Sequence, residues 1–244
     1  MRALLALVTA LALVGCAQGE DEELVVSAAS SLTGAFDDIA SAFEKANPGV
    51  KVKVNHAGSA TLREQILEGA PVDVFAPADL THMVQVATAG AIGEEHEVFA
   101  TNTLLIAVPA GNPGDVSGLD DFADPDLLLG LCARGVPCGD LARAVLDSAG
   151  IEPSIDTHEP NARLLLTKIE AGELDAGITY VTDVYRGDSA VEAIELPEDL
   201  RLTTQYPIAM LARTDKPELA SAFIQFVLSD EAQAILTEFG FGTP

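Results

Sequence analysis

Basic residues are scarce in this chain: 13 Lys+Arg stand against 38 Asp+Glu in 244 residues, a formal net charge of −25. A surface so acidic has no broad basic face for nucleic acid or an anionic membrane, and binding of nucleic acid is not expected. A small anion remains open. Exposed charge is screened over roughly 8 Å in physiological salt, and amides inside a cleft can oppose the global sign. Histidine is sparse too, and His56, His82, His96 and His158 are scattered as surface residues rather than grouped as ligands. The abundant carboxylates fit solvated helix faces, which leaves a metal-binding receptor as a weak alternative. There is no Gly-x-Ser-x-Gly elbow, because Gly58-Ser59-Ala60-Thr61-Leu62 lacks the last glycine and has Ala60 in the serine position. An extracytoplasmic hydrolase using Ser59 or Ser31 is therefore a weaker reading, and the protein is not expected to be an enzyme. No internal repeat is present.

What is there is an ordinary α/β composition: 48% hydrophobic, 21% charged, with 20 Gly and 13 Pro as punctuation. That is enough chain for one large domain or two modest lobes. The N-terminus stands apart. Arg2 precedes the apolar run Leu4 to Val14, which is too short to span a bilayer, and Leu13-Val14-Gly15-Cys16 follows. These four residues resemble a bacterial lipobox, which implies a signal peptide over 1–15, a lipidated Cys16, and a polar tether over 16–23. The mature protein is then expected outside the cytoplasmic membrane, held on its outer face by lipid alone.

Only Cys132 and Cys138 remain, an even pair in an oxidising compartment. A disulfide is the preferred reading. Its short loop is worth about 2 kcal/mol of chain entropy, and its larger effect is to stiffen the turn at Pro137. A metal site is the weaker alternative, with no histidine or second cysteine pair at ligand spacing.

Along the mature chain, strand-like runs alternate with helical patterns. Leu24 to Ala29 reads as a strand, and Leu32, Phe36, Ile39 and Phe43 recur at helical spacing until Asn47-Pro48-Gly49 stops them. Val50, Val52 and Val54 alternate with lysines as a second strand, Thr61 to Glu68 reads as a helix, and Val72 to Ala76 as a third strand before a helix from Asp79. Beyond residue 101, strands are expected at Thr103 to Val108, Leu127 to Cys132, Ala176 to Val181 and Tyr206 to Ala212. Helices are expected at Gly139 to Ser148, Pro160 to Ala171 and Pro217 to Leu228, with Ser229-Asp230 capping a last one. The pattern predicts mostly parallel sheet with helices on both faces.

Ligands in such sheets collect where strands end and helices begin. Ser30-Ser31, Ala57 to Thr61, Pro137-Cys138-Gly139 and Pro160-Asn161-Ala162 stand at these junctions. Each alone is also explained by helix capping. Taken together with Ala28 to Thr33, Gly69 to Phe75, Ala78-Asp79 and Gly177-Ile178-Thr179-Tyr180, they resemble, in order and spacing, the periplasmic molybdate-binding proteins of ABC transporters.

The resemblance covers residues 24 to 244 and implies a two-lobed fold of the periplasmic-binding-protein type. Lobe 1 is expected from 24–101 plus 206–244 and lobe 2 from 102–205, with two chain crossings as the hinge. It also implies a monomeric receptor that needs no cofactor, binds molybdate or tungstate, closes on the ligand and docks on an ABC permease. Carried over position by position, the oxyanion contacts are the hydroxyls and amides of Ser31 and Ser59, the amides of Cys138 and Ala162, and the hydroxyl of Tyr180. Ser30 is the neighbour most easily confused with Ser31. Cys138 and Ala162 depart from the commoner residues at their positions, which bears on pocket size. The chemistry agrees: a fully deprotonated tetrahedral dianion only accepts hydrogen bonds, so it suits a site of donors without carboxylates. Sulfate offers the same charge and shape and stays open as an alternative oxyanion.

Overall fold

A computed structural model of the chain describes residues 22–93, 95–184 and 190–244. The expected signal peptide, Cys16 and the tether as far as residue 21 lie outside the described residues. At the tether's other end, strand β1 (Glu22–Ala29) starts two residues earlier than the apolar pattern indicates. The amide of Glu22 donates to the Gly49 carbonyl at 2.8 Å, and backbone pairing with β2 (Val50–Ala57) takes in both glutamates.

Two half-sheets share a pair of long strands. The order is β2-β1-β3-β9-β4-β7-β5-β6, with β8 also on β4. β1 runs parallel to β2 and to β3 (Val74–Ala76), and in the other half β5 (Leu129–Cys132) runs parallel to β6 (Thr157–Glu159) and β7 (Ala176–Tyr180). The strands that join them are antiparallel. β4 (Glu97–Pro109) pairs over Glu97 to Thr103 with β9 (Thr203–Met210), then over Leu104 to Ala107 with β7 and over Leu105 to Pro109 with β8 (Val191–Glu195). β4 and β9 are thus the two crossings between lobes.

Helices cover the sheet because their apolar stripes demand it. α1 (Thr33–Ala46), entered through a tight turn at Ser30–Leu32, buries Phe36, Ile39 and Phe43, the periodic residues of the sequence. α2 (Ser59–Leu67) and α3 (Leu80–Thr88) pack on the same half. α4 (Pro137–Ala149), α5 (Ala162–Glu170) and the short α6 (Val181–Val184) flank the other.

The last two helices, α7 (Pro217–Val227) and α8 (Asp230–Glu238), return to the first half and pack on α1. Phe43 meets Phe223 at 5.3 Å and Phe226 at 5.5 Å between ring centroids. Phe43 and Phe223 are buried and contribute roughly 1.5–3 kcal/mol each, so this aromatic contact favours the return of the C-terminus.

Candidate functional site

Four chain segments end their strands at the gap between lobes. β1 passes into the Ser30–Leu32 turn, and Gly58 caps α2 ahead of Ser59. Val136 precedes Pro137 at the first turn of α4, and Asn161 caps α5, its Oδ1 accepting from the Leu164 amide at 2.9 Å. Proline fits there because the first helical amides have no partner within the helix. Those free amides give each helix start about half a positive charge. Two segments come from one lobe and two from the other.

They enclose a cavity of about 10 Å³ lined by Ser30, Ser31, Gly58, Ser59, Ala78, Pro137, Cys138, Asn161, Ala162 and Tyr180. All five residues singled out as oxyanion contacts are in that lining, and Ser30 is beside them. The space is far below the few hundred Å³ of a site for a drug-sized organic molecule. A larger, mostly apolar groove of about 400 Å³, lined by Leu104, Leu105, Val181 and Val184 among others, has no converging helix starts.

The hydroxyls are individually oriented. Ser59 is buried, and its Oγ accepts the Ala78 amide at 3.0 Å, leaving its proton to donate elsewhere. Ser31 Oγ lies 2.9 Å from the Tyr206 hydroxyl. Tyr180 is 1% exposed, and its hydroxyl makes no hydrogen bond of good geometry among the described residues, although it lies near enough to the Tyr206 hydroxyl to feel it. Burial, then the neighbouring Tyr206, Asp79 and Asp183, push its ionisation well above the usual phenol range, so it remains a donor. An unpaired buried hydroxyl costs about 1–3 kcal/mol, and this one borders the cavity.

Among the described residues no carboxylate lines the cavity, and the two that act on Tyr180 are engaged. Asp79 caps α3, accepting the His82 amide at 2.9 Å and meeting His82 Nδ1 at 2.8 Å. His82 is therefore buried, contrary to the surface position expected from sequence: Asp79 satisfies the ring and lets it enter the core. Asp183 accepts from Thr179 Oγ1 at 2.5 Å and from the Tyr180 amide at 3.1 Å. Burial pushes its carboxyl up to about 6 against the pull of those two bonds and of Arg163. It borders a second cavity of about 290 Å³ that it shares with Ser31, Arg163 and Phe239. Among the described residues, no group of three His, Cys, Asp or Glu side chains is placed to hold a metal ion.

Two glycines set the fit of this gap. A Cβ on Gly58 would stand 2.5 Å from the Pro160 carbonyl oxygen, backbone against backbone across the lobes. A Cβ on Gly139 would stand 2.3 Å from the Ala133 carbonyl oxygen and 2.4 Å from that of Cys132. The second contact locks the start of α4 onto the end of β5. Cys132 and Cys138 are bonded there, with Cα atoms 5.8 Å apart, and buried Arg143 donates through Nη1 to the Cys132 and Gly139 carbonyls at 2.9 and 2.8 Å.

The family model for bacterial extracellular solute-binding proteins matches residues 24–242. The chain belongs to that family. Its members are receptors rather than enzymes, and this chain is one of them. It is 38% identical over 221 residues to the molybdate-binding protein ModA of Mycobacterium tuberculosis, covering 91% of this chain and 85% of that one. The structure of the periplasmic molybdate-binding protein of Azotobacter vinelandii superposes with a TM-score of 0.78 at 19% identity, covering 91% of this chain and 99% of that one. The sulfate-binding protein SubI of M. tuberculosis also gives 0.78, at 17% identity and with 90% and 86% covered. At those identities the two structures speak for the two-lobed fold alone.

Several residues of the site escaped the sequence reading. Asn102 and Tyr206 sit in the crossing strands next to other polar residues, Thr101, Thr103 and Gln205, and nothing in the local pattern singles them out. Gly58 was legible as a helix cap but not as the point where the lobes touch.

Proposed function

We propose that this receptor captures molybdate, and tungstate with it, in the gap between lobes and delivers it to an ABC permease. The observation that carries the reading is the convergence of Ser31, Ser59, Tyr180 and the helix starts at Cys138 and Ala162 on one small cavity lined by donors. With hydroxyl and amide from each serine and one donor from each other residue, there are roughly seven bonds at ~1.5 kcal/mol each. Their gross sum of about 10 kcal/mol corresponds to micromolar-to-nanomolar affinity before ordering costs. The kinship with ModA supports the choice of molybdate. Because donors come from both lobes, the ligand binds the closed arrangement better and shifts the protein toward it.

In this reading, residues 24–101 and 206–244 form the first lobe and 102–205 the second. The protein acts as a monomer, tethered outside the cytoplasmic membrane through lipid on Cys16. Sulfate is the alternative ligand, since the donor set suits either dianion. Thermal-shift titration with molybdate, tungstate, sulfate, phosphate and divalent cations tests the reading. A ligand at 100 times its Kd stabilises by about 2.7 kcal/mol. Stabilisation by molybdate and tungstate is expected; stabilisation by sulfate alone, or by cations alone, overturns the assignment.

A further inference from the structure

Two side chains on the crossing strands, Asn102 and Tyr206, bear on which way the Ser31 hydroxyl points. We propose that Asn102 on β4 and Tyr206 on β9 are positioning residues that fix Ser31 as a donor and thereby exclude oxyanions that carry a proton. The inference rests on the oxyanion reading of the cavity given above.

The direction is set from one end. The Thr103 amide, which can only donate, meets Asn102 Oδ1 at 2.9 Å and so identifies the oxygen end of that side chain. The nitrogen end then donates to Thr182 Oγ1 at 2.8 Å and to the Tyr206 hydroxyl oxygen at 3.3 Å. Tyr206 is fully buried, so its own proton has no solvent to go to. Ser31 Oγ, 2.9 Å away and able to donate or accept, is the acceptor that the proposal gives it. Having accepted that bond, Ser31 turns its own proton away from Tyr206, and in the proposal it points into the cavity between the helix starts, one of the two that Ser31 borders.

At Ser59 a backbone amide plays the same part. Ser59 Oγ accepts the Ala78 amide, so it too faces the cavity as a donor. A hydrogen phosphate brings the same charge as molybdate but also a P–OH proton, and that proton finds no acceptor here. Discrimination against it is therefore built into the hinge strands, at residues that do not themselves line the cavity.

Two variants test this. In Asn102→Asp the introduced carboxylate draws the Tyr206 proton, Ser31 then donates to Tyr206, and a Ser31 lone pair faces the cavity. Tyr206→Phe removes the donor to Ser31 without adding charge and keeps the ring packed on Phe99 and Phe241. The readout is the ratio of Kd for phosphate to Kd for molybdate by calorimetry at pH 8, where both ligands are dianions and added charge cancels. The ratio is expected to fall at least tenfold in both variants. An unchanged ratio in folded Tyr206→Phe overturns the proposal. Wild-type protein that fails to bind molybdate overturns the oxyanion reading itself and this proposal with it.

Discussion

Replacing Gly58 with alanine tests closure at its tightest point. The backbone at Gly58 has φ −63° and ψ 139°, a conformation any residue adopts, so the substitution introduces no strain within its own lobe. The added methyl would stand 2.5 Å from the Pro160 carbonyl oxygen and 3.4 Å from Asn161 Cβ. Carbon needs close to 3.5 Å from such an atom, so the lobes must part by about 1 Å at this point. Pro160 and Asn161 lead directly into α5, and the Ala162 amide moves with them. Withdrawing one charge-assisted hydrogen bond, at roughly 1.5–3 kcal/mol, weakens anion binding on the order of 10- to 100-fold. Calorimetric titration with molybdate reads the affinity, and thermal melting without ligand provides the control, which should shift little. An unchanged Kd refutes the inference that the lobes meet at Gly58 in the bound state.

Tyr180→Phe removes the unpaired buried hydroxyl; it should leave the melting temperature without ligand unchanged or raised while weakening molybdate binding about tenfold or more, and equal affinity by calorimetry would remove Tyr180 from the site. Reducing the Cys132–Cys138 bond with a dithiol should lower stability by about 2 kcal/mol, roughly 4–8 °C in Tm. A thiol assay that finds both cysteines reactive before reduction contradicts the pairing. Asp183 supplies a pH signature: its carboxyl, pushed up to about 6, lies above the unfolded value, so its contribution to stability is present at low pH and lost as pH rises through 6. Asp183→Asn escapes that loss, and its Tm relative to wild type should climb between about pH 4 and 7; a flat difference shows that Asp183 does not titrate in that window. Cys16→Ser should release the protein from membranes in fractionation, and protein still extracted only by detergent counts against the lipid anchor.

Much of the first half was legible because its elements are long and strictly patterned. Phe36, Ile39 and Phe43 mark α1, and the alternation of Val50, Val52 and Val54 marks β2. The site positions were legible for another reason: Ser59, Pro137 and Asn161 are strong helix-start residues, and local chemistry writes them into the sequence. What stayed hidden is long-range. Asn102 and Tyr206 are 104 residues apart and acquire meaning only when β4 and β9 pair. The strand expected from Thr103 leaves out the first half of β4, where Thr101 and Asn102 interrupt the apolar run, although they are residues the crossing uses. β6 and β8 were missed as well: β6 has three residues, and β8 buries only its first. His82 misled because a lone histidine on a helix gives no sign of the capping carboxylate that lets it go inside.

The return of α7 and α8 to α1 has a consequence for how the molecule is assembled. Everything between β4 and β9 is one uninterrupted stretch and can collapse as soon as it is available. Phe36 and Phe43, near the beginning, must wait for Phe223 and Phe226, near the end. Closing so distant a pair is entropically slow, and until it happens an apolar helix face stays uncovered. A chain shortened before Pro217 therefore loses more than a tail: it strands its own N-terminal half in a sticky, unfinished state, and export or expression of such a fragment should end in aggregation.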